Sequence, residues 1–305
     1  MRISTQTLFE TGAARLGDLQ SGLARTQQQI STGRRILIPS DDPVAAARAL
    51  EVSQSQSLNT QYGLNRQHAK SALASEEGSL SSVTSLLQDV KTTVIAAGNG
   101  SLSDTERGFM ATELRGRFEE LLGLANSRDP MGNYQFSGYQ TTTPPFAETT
   151  PGTVQYQGDQ GQRLMQVDAT RQMAANSTGQ AVFQGGGQDI FVTLNDLITL
   201  LQTPVVDAAT TTALNNGLAT ANNNLDLALD NVLTVRASVG SRLQELDALD
   251  NAGEDRHIQY SQILSDLQDL DYTQALTQLS QQQITLEAAQ RSFVAVSGLS
   301  LFNFL

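Results

Sequence analysis

A seven-residue apolar repeat runs through the last third of the chain and constrains its fold more than any other feature. Leu225, Val232, Val239, Leu246, Gly253, Tyr260 and Leu267 stand seven apart, with Gly253 the one break. Tyr272, Leu279, Leu286 and Phe293 carry the repeat on in a shifted phase. Side chains spaced by seven return to one side of an α-helix every two turns, so the pattern describes long helices packed lengthwise on other helices. The N-terminus has the same pattern. Phe9, Leu16, Leu23 and Ile30 form a row with Leu19 beside it, which predicts an amphipathic helix over about 6–31 ended by Gly33. Ile38 precedes Pro39, which favours extended backbone and predicts a linker there. Asp42 then caps a helix whose first residue is Pro43. Leu73, Leu80, Leu87 and Val94, with Val83, Val90 and Ala97 alongside, predict a second long helix that stops at Gly98-Asn99-Gly100. Ser103 with Glu106 reads as a capping box that opens a third. That helix carries Leu114, Phe118, Leu121 and Ala125 and is expected to end at Asp129-Pro130.

From Met131 to about Asn195 the character changes. Seven of the sixteen aromatic residues lie there: Tyr134, Phe136, Tyr139, Phe146, Tyr156, Phe183 and Phe191. Three of the seven prolines, Pro144, Pro145 and Pro151, lie there too. Short alternating runs at Val154-Gln155-Tyr156 and Leu164-Met165-Gln166-Val167 predict strands joined by glycine-rich turns. A short helix near 194–202 and a turn at Pro204 lead back to long helices. The expected fold is therefore mainly α with a β-rich insertion. N- and C-terminal segments form a long antiparallel helical bundle or coiled coil, and a small β domain is inserted between them. The division expected is an N-terminal helix over 1–40 paired with a C-terminal helix over 270–305. A helical body over 41–130 and 206–269 carries the β-rich insertion, 131–205.

Composition removes most functional classes. A net charge of −12 argues against nucleic acid or an anionic membrane as partner. No cysteine is present, which excludes disulfides, thiol nucleophiles and cysteine-based zinc sites. No run approaches ~18 uninterrupted apolar residues, so no membrane span is expected, and the N-terminus lacks the apolar core of a cleaved signal peptide. Asp41-Asp42 sits at a helix start, where capping outweighs a metal or acid–base role. His68 and His257 have no companions, and no nucleophile–base–orienter set is discernible. Gly185-Gly186-Gly187 lacks phosphate-loop spacing and reads as a turn. Asn176-Ser177-Thr178 fits a glycosylation sequon that is common by chance. The tail after Arg291 is apolar but broken by Ser292, Ser297, Gly298, Ser300 and Asn303, which favours protein packing over a lipid anchor. No enzyme, cofactor or metal site is expected.

Ile30-Ser-Thr-Gly-Arg-Arg-Ile36 and Pro39-Ser-Asp-Asp-Pro-Val-Ala-Ala-Ala47 resemble the N-terminal signature of the bacterial flagellin superfamily, in the form of its hook-associated protein 3 branch. Asn133-Tyr-Gln-Phe-Ser-Gly138 and Thr143-Pro-Pro-Phe146 resemble that branch's entry into its variable domain. Leu264-Ser-Asp-Leu-Gln-Asp-Leu-Asp-Tyr272 and Gly298-Leu-Ser-Leu-Phe-Asn-Phe-Leu305 resemble its C-terminal signature. The resemblance implies a structural protein at the hook–filament junction, outside the cell, exported without a cleaved signal. It implies as partners the first hook-associated protein, flagellin, further copies of itself and an export chaperone. It also implies termini that become ordered on assembly. The subunit interface is then expected at Phe9, Leu16, Leu23, Ile30, Leu279, Leu286, Phe293, Leu299, Leu301, Phe302 and Phe304. The alternatives are a flagellin-type filament subunit and a secreted coiled-coil adhesin.

Overall fold

The computed structural model describes residues 2–129 and 131–302, and among these the side chains of 7, 9–129 and 131–295. Long helices dominate. The elements are α1 (Arg2–Thr32), α2 (Pro43–Ala97), α3 (Asp104–Ala125), β1 (Phe146–Thr150), β2 (Thr153–Tyr156), β3 (Leu164–Asp168), β4 (Arg171–Ala174), α4 (Gly179–Phe183), α5 (Ile190–Gln202), α6 (Ala208–Gln268) and α7 (Tyr272–Phe302). The mainly-α fold with a small β region between terminal helices is the one expected. The chain divides into two compact units: residues 1–58 with 255–305, and residues 59–254.

The second unit holds the core. Leu73, Leu80, Leu87 and Val94 of α2 are buried against Leu114, Phe118 and Leu121 of α3 and against Leu225, Val232, Val239 and Leu246 of α6. Charge pairs mark α2 and α6 as antiparallel neighbours. Arg66 meets Asp250, Lys70 meets Asp247, Glu77 meets Arg236 and Lys91 meets Asp226. Partly exposed pairs of this kind add little stability, about 0–1 kcal/mol each, but they fit only one alignment.

Gly253, the break in the apolar row, has a physical cause. Arg66 is 3% exposed and crosses over it, with Nε donating to Asp250 at 2.5 Å and Nη1 to the Val167 carbonyl at 3.0 Å. A Cβ on residue 253 would overlap that guanidinium. The Gly253 carbonyl in turn accepts from Asn59 Nδ2 at 2.7 Å. Glu76 is also buried. The Ser177 N–H donates to its Oε2 at 3.2 Å, and burial pushes its carboxyl up against the opposing pull of Ser177, Arg242 and Arg163.

The span read as β-rich is two separate two-stranded antiparallel hairpins, β1–β2 and β3–β4, together with α4 and α5. A lone hairpin is marginal in water, and the aromatic content explains how these persist. Phe136, Phe146, Phe183 and Phe191 are fully buried with Phe118 of α3, and their ring centroids lie 5.2–6.0 Å apart. The β3–β4 hairpin is tied down through its backbone: Asn65 Nδ2 and Arg66 Nη1 donate to the carbonyls of Gln166 and Val167. Arg171 forks onto Glu245 at 2.6 and 2.9 Å. The two hairpin tips differ. Ala169 and Thr170 are exposed, whereas Gly152 is buried at φ +85° against Asn195.

Two boundaries depart from expectation. α3 stops at Ala125 rather than at Asp129-Pro130, because the Asn126 side-chain amide bonds the Phe146 backbone at both N–H and carbonyl, 3.0 and 2.9 Å. α5 starts at Ile190 rather than near 194. Asp189 caps it by accepting from the N–H groups of Phe191 and Val192.

Restoring the apolar row with Gly253→Leu is expected to destabilise the protein. It displaces Arg66 and strands buried polar partners, at about 1–3 kcal/mol. Gly78→Ala, in α2 with open space around it, is expected to stabilise by about 0.5–1 kcal/mol. Thermal unfolding followed by circular dichroism should move in opposite directions for the two variants.

Candidate assembly interface

The first unit is built on α1 and α7, which pack against each other in antiparallel fashion, Gly12 facing Phe293, Gly22 facing Gln282 and Gly33 facing Tyr272. The expected interface residues divide into two groups. Leu16, Leu23, Ile30, Leu279, Leu286 and Phe293 are half-buried, and Phe9 is 53% exposed although its ring stacks on Phe293 at 4.9 Å. The side chains of Leu299, Leu301 and Phe302, and residue Phe304 altogether, lie outside the described residues. Among the described residues, the buried positions of the α1–α7 seam are Thr26 and Ala275, both small. Leu276, Ile284 and Val294 lie exposed on α7. The equivalent rows in the second unit are close to fully buried.

The segment between α1 and α2, expected as an extended linker, is instead a hydrogen-bonded turn. Gly33 sits at φ +69°, and its carbonyl accepts from the Leu270 N–H at 3.0 Å. Arg35 N–H donates to the Gln268 carbonyl at 2.7 Å and its Nη2 to the Leu267 carbonyl at 2.9 Å. Gln29 Nε2 reaches back to the Arg35 carbonyl at 2.7 Å. Asp41 accepts from the N–H groups of Leu37 and Ile38 at 3.0 and 3.2 Å and pairs with Arg25. Asp42 caps α2 by accepting from the Ala45 N–H at 3.0 Å and pairs with Arg35 at 3.2 Å. Asp42 is therefore the cap expected at this helix start, whereas Asp41 closes the turn before it and caps no helix.

Partial desolvation pushes the Asp41 carboxyl up, but the Leu37 and Ile38 N–H groups and Arg25 outweigh it and hold the group below its ordinary value of 3.8. At Asp42 the Ala45 N–H lowers the carboxyl, with Arg35 helping and desolvation opposing. An open cleft of about 360 Å³ adjoins the turn, lined by Arg25, Thr32, Arg34, Ile36, Ile38 and Asp41 among others.

His68 and His257 are exposed, and among the described residues no cluster of three or more His, Asp or Glu could hold a metal. No helix among them is long and apolar enough to cross a membrane. The unit offers two half-covered apolar rows held at a fixed entry turn, which suits packing against further helices. The sequence reading missed Gly12, Gly22 and Gln282 in the seam. Their signal was available: small and polar residues interrupting an apolar face.

Comparison with known proteins fits this geometry. Residues 3–141 match the bacterial flagellin N-terminal helical region. Flagellar hook-associated protein 3 of Escherichia coli is 37% identical over 317 residues, covering 99% of both chains. The chain belongs to the flagellar hook-associated protein 3 family. Members of that family are structural proteins of the flagellum. Its fold is also that of a putative flagellar hook-associated protein from Vibrio parahaemolyticus, with 27% identity, a TM-score of 0.68 and coverage of 75% of this chain and 100% of that one. The flagellar junction protein FlgL from Legionella pneumophila shares the fold at 22% identity, a TM-score of 0.64 and coverage of 73% and 100%.

Because Asp41 and Asp42 bind protons more weakly in the folded turn, their stabilisation is complete above pH 3.8 and is lost as pH falls through their lower folded values. NMR amide shifts of Leu37 and Ile38 should report this, constant above pH 3.8 and moving together below it. In Asp41→Asn the two amides should already be shifted at neutral pH and should show little further change on acidification.

Proposed function

We propose that the protein is the adapter of the hook–filament junction, joining the first hook-associated protein to the flagellin filament through helical packing of its termini. The observation that carries this reading is the state of the terminal rows. Leu16, Leu23 and Ile30 of α1, with Leu279, Leu286 and Phe293 of α7, are regular enough for lengthwise packing yet only half-buried within one chain, and Phe9 is exposed. A large apolar side chain gains ~1.5–3 kcal/mol on full burial, while ordering each residue's backbone costs ~1–2 kcal/mol. One pair of helices is then marginal, and a layer of them, with faces covered by neighbours, is not. This reading also assigns Leu299, Leu301, Phe302 and Phe304 to the interface.

Heterologous contacts of this kind propagate as an open helical layer instead of closing into a dimer, which suits a joint between two different polymers. The layer is made of copies of this chain. The name of the Legionella relative, a flagellar junction protein, supports the placement. The same reading makes the protein extracellular, held by an export chaperone before it leaves the cell without a cleaved signal, and structural in its work.

A deletion strain is expected to carry hooks without filaments by electron microscopy and to lose flagellin monomers to the medium. Intact filaments would refute the adapter role. Phe293→Asp combined with Phe302→Asp is expected to give a soluble, exported protein that fails to retain filaments.

A further inference from the structure

The apolar rows of α1 and α7 leave their alignment ambiguous. Two antiparallel helices whose rows repeat every seven residues present the same rows to each other after a slide of one heptad. Phe293 shows what removes the ambiguity. Its ring lies 4.9 Å from Phe9 and is seated over Gly12, where a Cβ would come within 2.9 Å of ring carbons Cδ2 and Cε2. At the far end of α1, a Cβ on Gly33 would lie 2.9 Å from Tyr272 Oη, and that glycine's positive φ already disfavours a side chain. Between them, Gly22 lies opposite Gln282, with Nε2 3.9 Å from where its Cβ would be. Gly17, in the same helix, has nothing within 4 Å.

We infer that Gly12 is the register-determining residue of the α1–α7 pair, a notch that admits Phe293 at one alignment and refuses it at the next. A slide of one heptad in one direction sets Phe293 against the level of Thr5 and Tyr272 against that of Thr26, and in the other it sets Phe293 against Leu19 and carries Tyr272 past the end of α1. Each of those residues carries a Cβ where the present alignment has none. Overfilling a packed contact is destabilising, so the glycines select by exclusion while the apolar rows supply adhesion at any height. Gln282 sharpens the choice. Its Oε1 is buried without a partner between the levels of Leu279 and Leu286, and a polar group so placed weakens adhesion in the seam and leaves steric fit to decide. With the register fixed, α1 and α7 present their outer faces to neighbours at one height. That consequence, unlike the register itself, rests on the terminal pair being the assembly element.

The chain has no cysteine, so two introduced thiols are the sole reactive pair. In the full chain, Thr26→Cys with Leu279→Cys, level with each other in the alignment that sets Gly12 against Phe293 and Gly33 against Tyr272, reports the present alignment, and Thr26→Cys with Leu286→Cys reports a slide of one heptad. Oxidation is expected to link the first pair about ten-fold faster than the second. Gly12→Leu should bring the two rates towards parity, and adding Phe293→Ala should restore the preference. Gly17→Leu should leave it unchanged. A parent chain with no preference, a Gly12→Leu chain that keeps it, or a Gly17→Leu chain that loses it equally would overturn the inference. Cross-linking reads the pairing inside one chain and filament retention reads the junction, so either idea can fail while the other stands.

Discussion

A pair of helices has one seam, and one seam cannot cover the large side chains of two heptad rows. That geometric shortage governs the terminal unit. In α1 and α7 the buried side chains among the described residues are small, Thr26 and Ala275, while the bulky members of each row are only partly covered. The second unit has three long helices and an aromatic cluster at its disposal, and the same kind of row disappears from solvent there. One sequence pattern therefore has two outcomes, and the number of neighbouring helices decides between them.

Polar groups settle alignment where apolar groups settle association. Along α2 and α6, Arg66, Lys70, Glu77 and Lys91 each meet one partner. Arg66 goes further, because it also holds the β3 carbonyl of Val167. The helical frame and one hairpin thus share a side chain, and the glycine beneath it is part of that joint. At the entry turn, Arg25, Arg35, Asp41 and Asp42 do similar work at lower burial. They fix the angle at which the chain leaves α1 and enters α2.

The helices were legible because period seven survives any detail of packing. Leu73 to Val94 and Leu225 to Leu246 could be placed in a core from spacing alone. The capping box at Ser103 and Glu106 and the Asp42–Pro43 start were legible for a similar reason, since each is local chemistry. What failed to show was long-range. Phe146–Thr150 and Arg171–Ala174 lack alternation, and they become strands through their partners across the hairpin. Asn126 ends α3 by bonding residue 146, which no window along the chain contains. Gly253 and Gly12 look like flaws in helices until the residues crossing them, Arg66 and Phe293, are seen. The turn at 33–42 was readable as a break, but its bonds to Leu267, Gln268 and Leu270 join positions far apart in sequence.

The two hairpins have unlike ends, and the difference bears on how the chain can vary. At the β1–β2 tip, Gly152 is wedged against Asn195, so any longer connection there must first displace the middle of α5. At the β3–β4 tip, Ala169 and Thr170 point into solvent, while the strands behind them are anchored by Asn65, Arg66 and Arg171. Loop tips of that kind absorb extra residues at little cost. A peptide epitope or a small inserted module spliced between 169 and 170 would hang from a fixed base. That tip can lengthen while the helical scaffold behind it is kept.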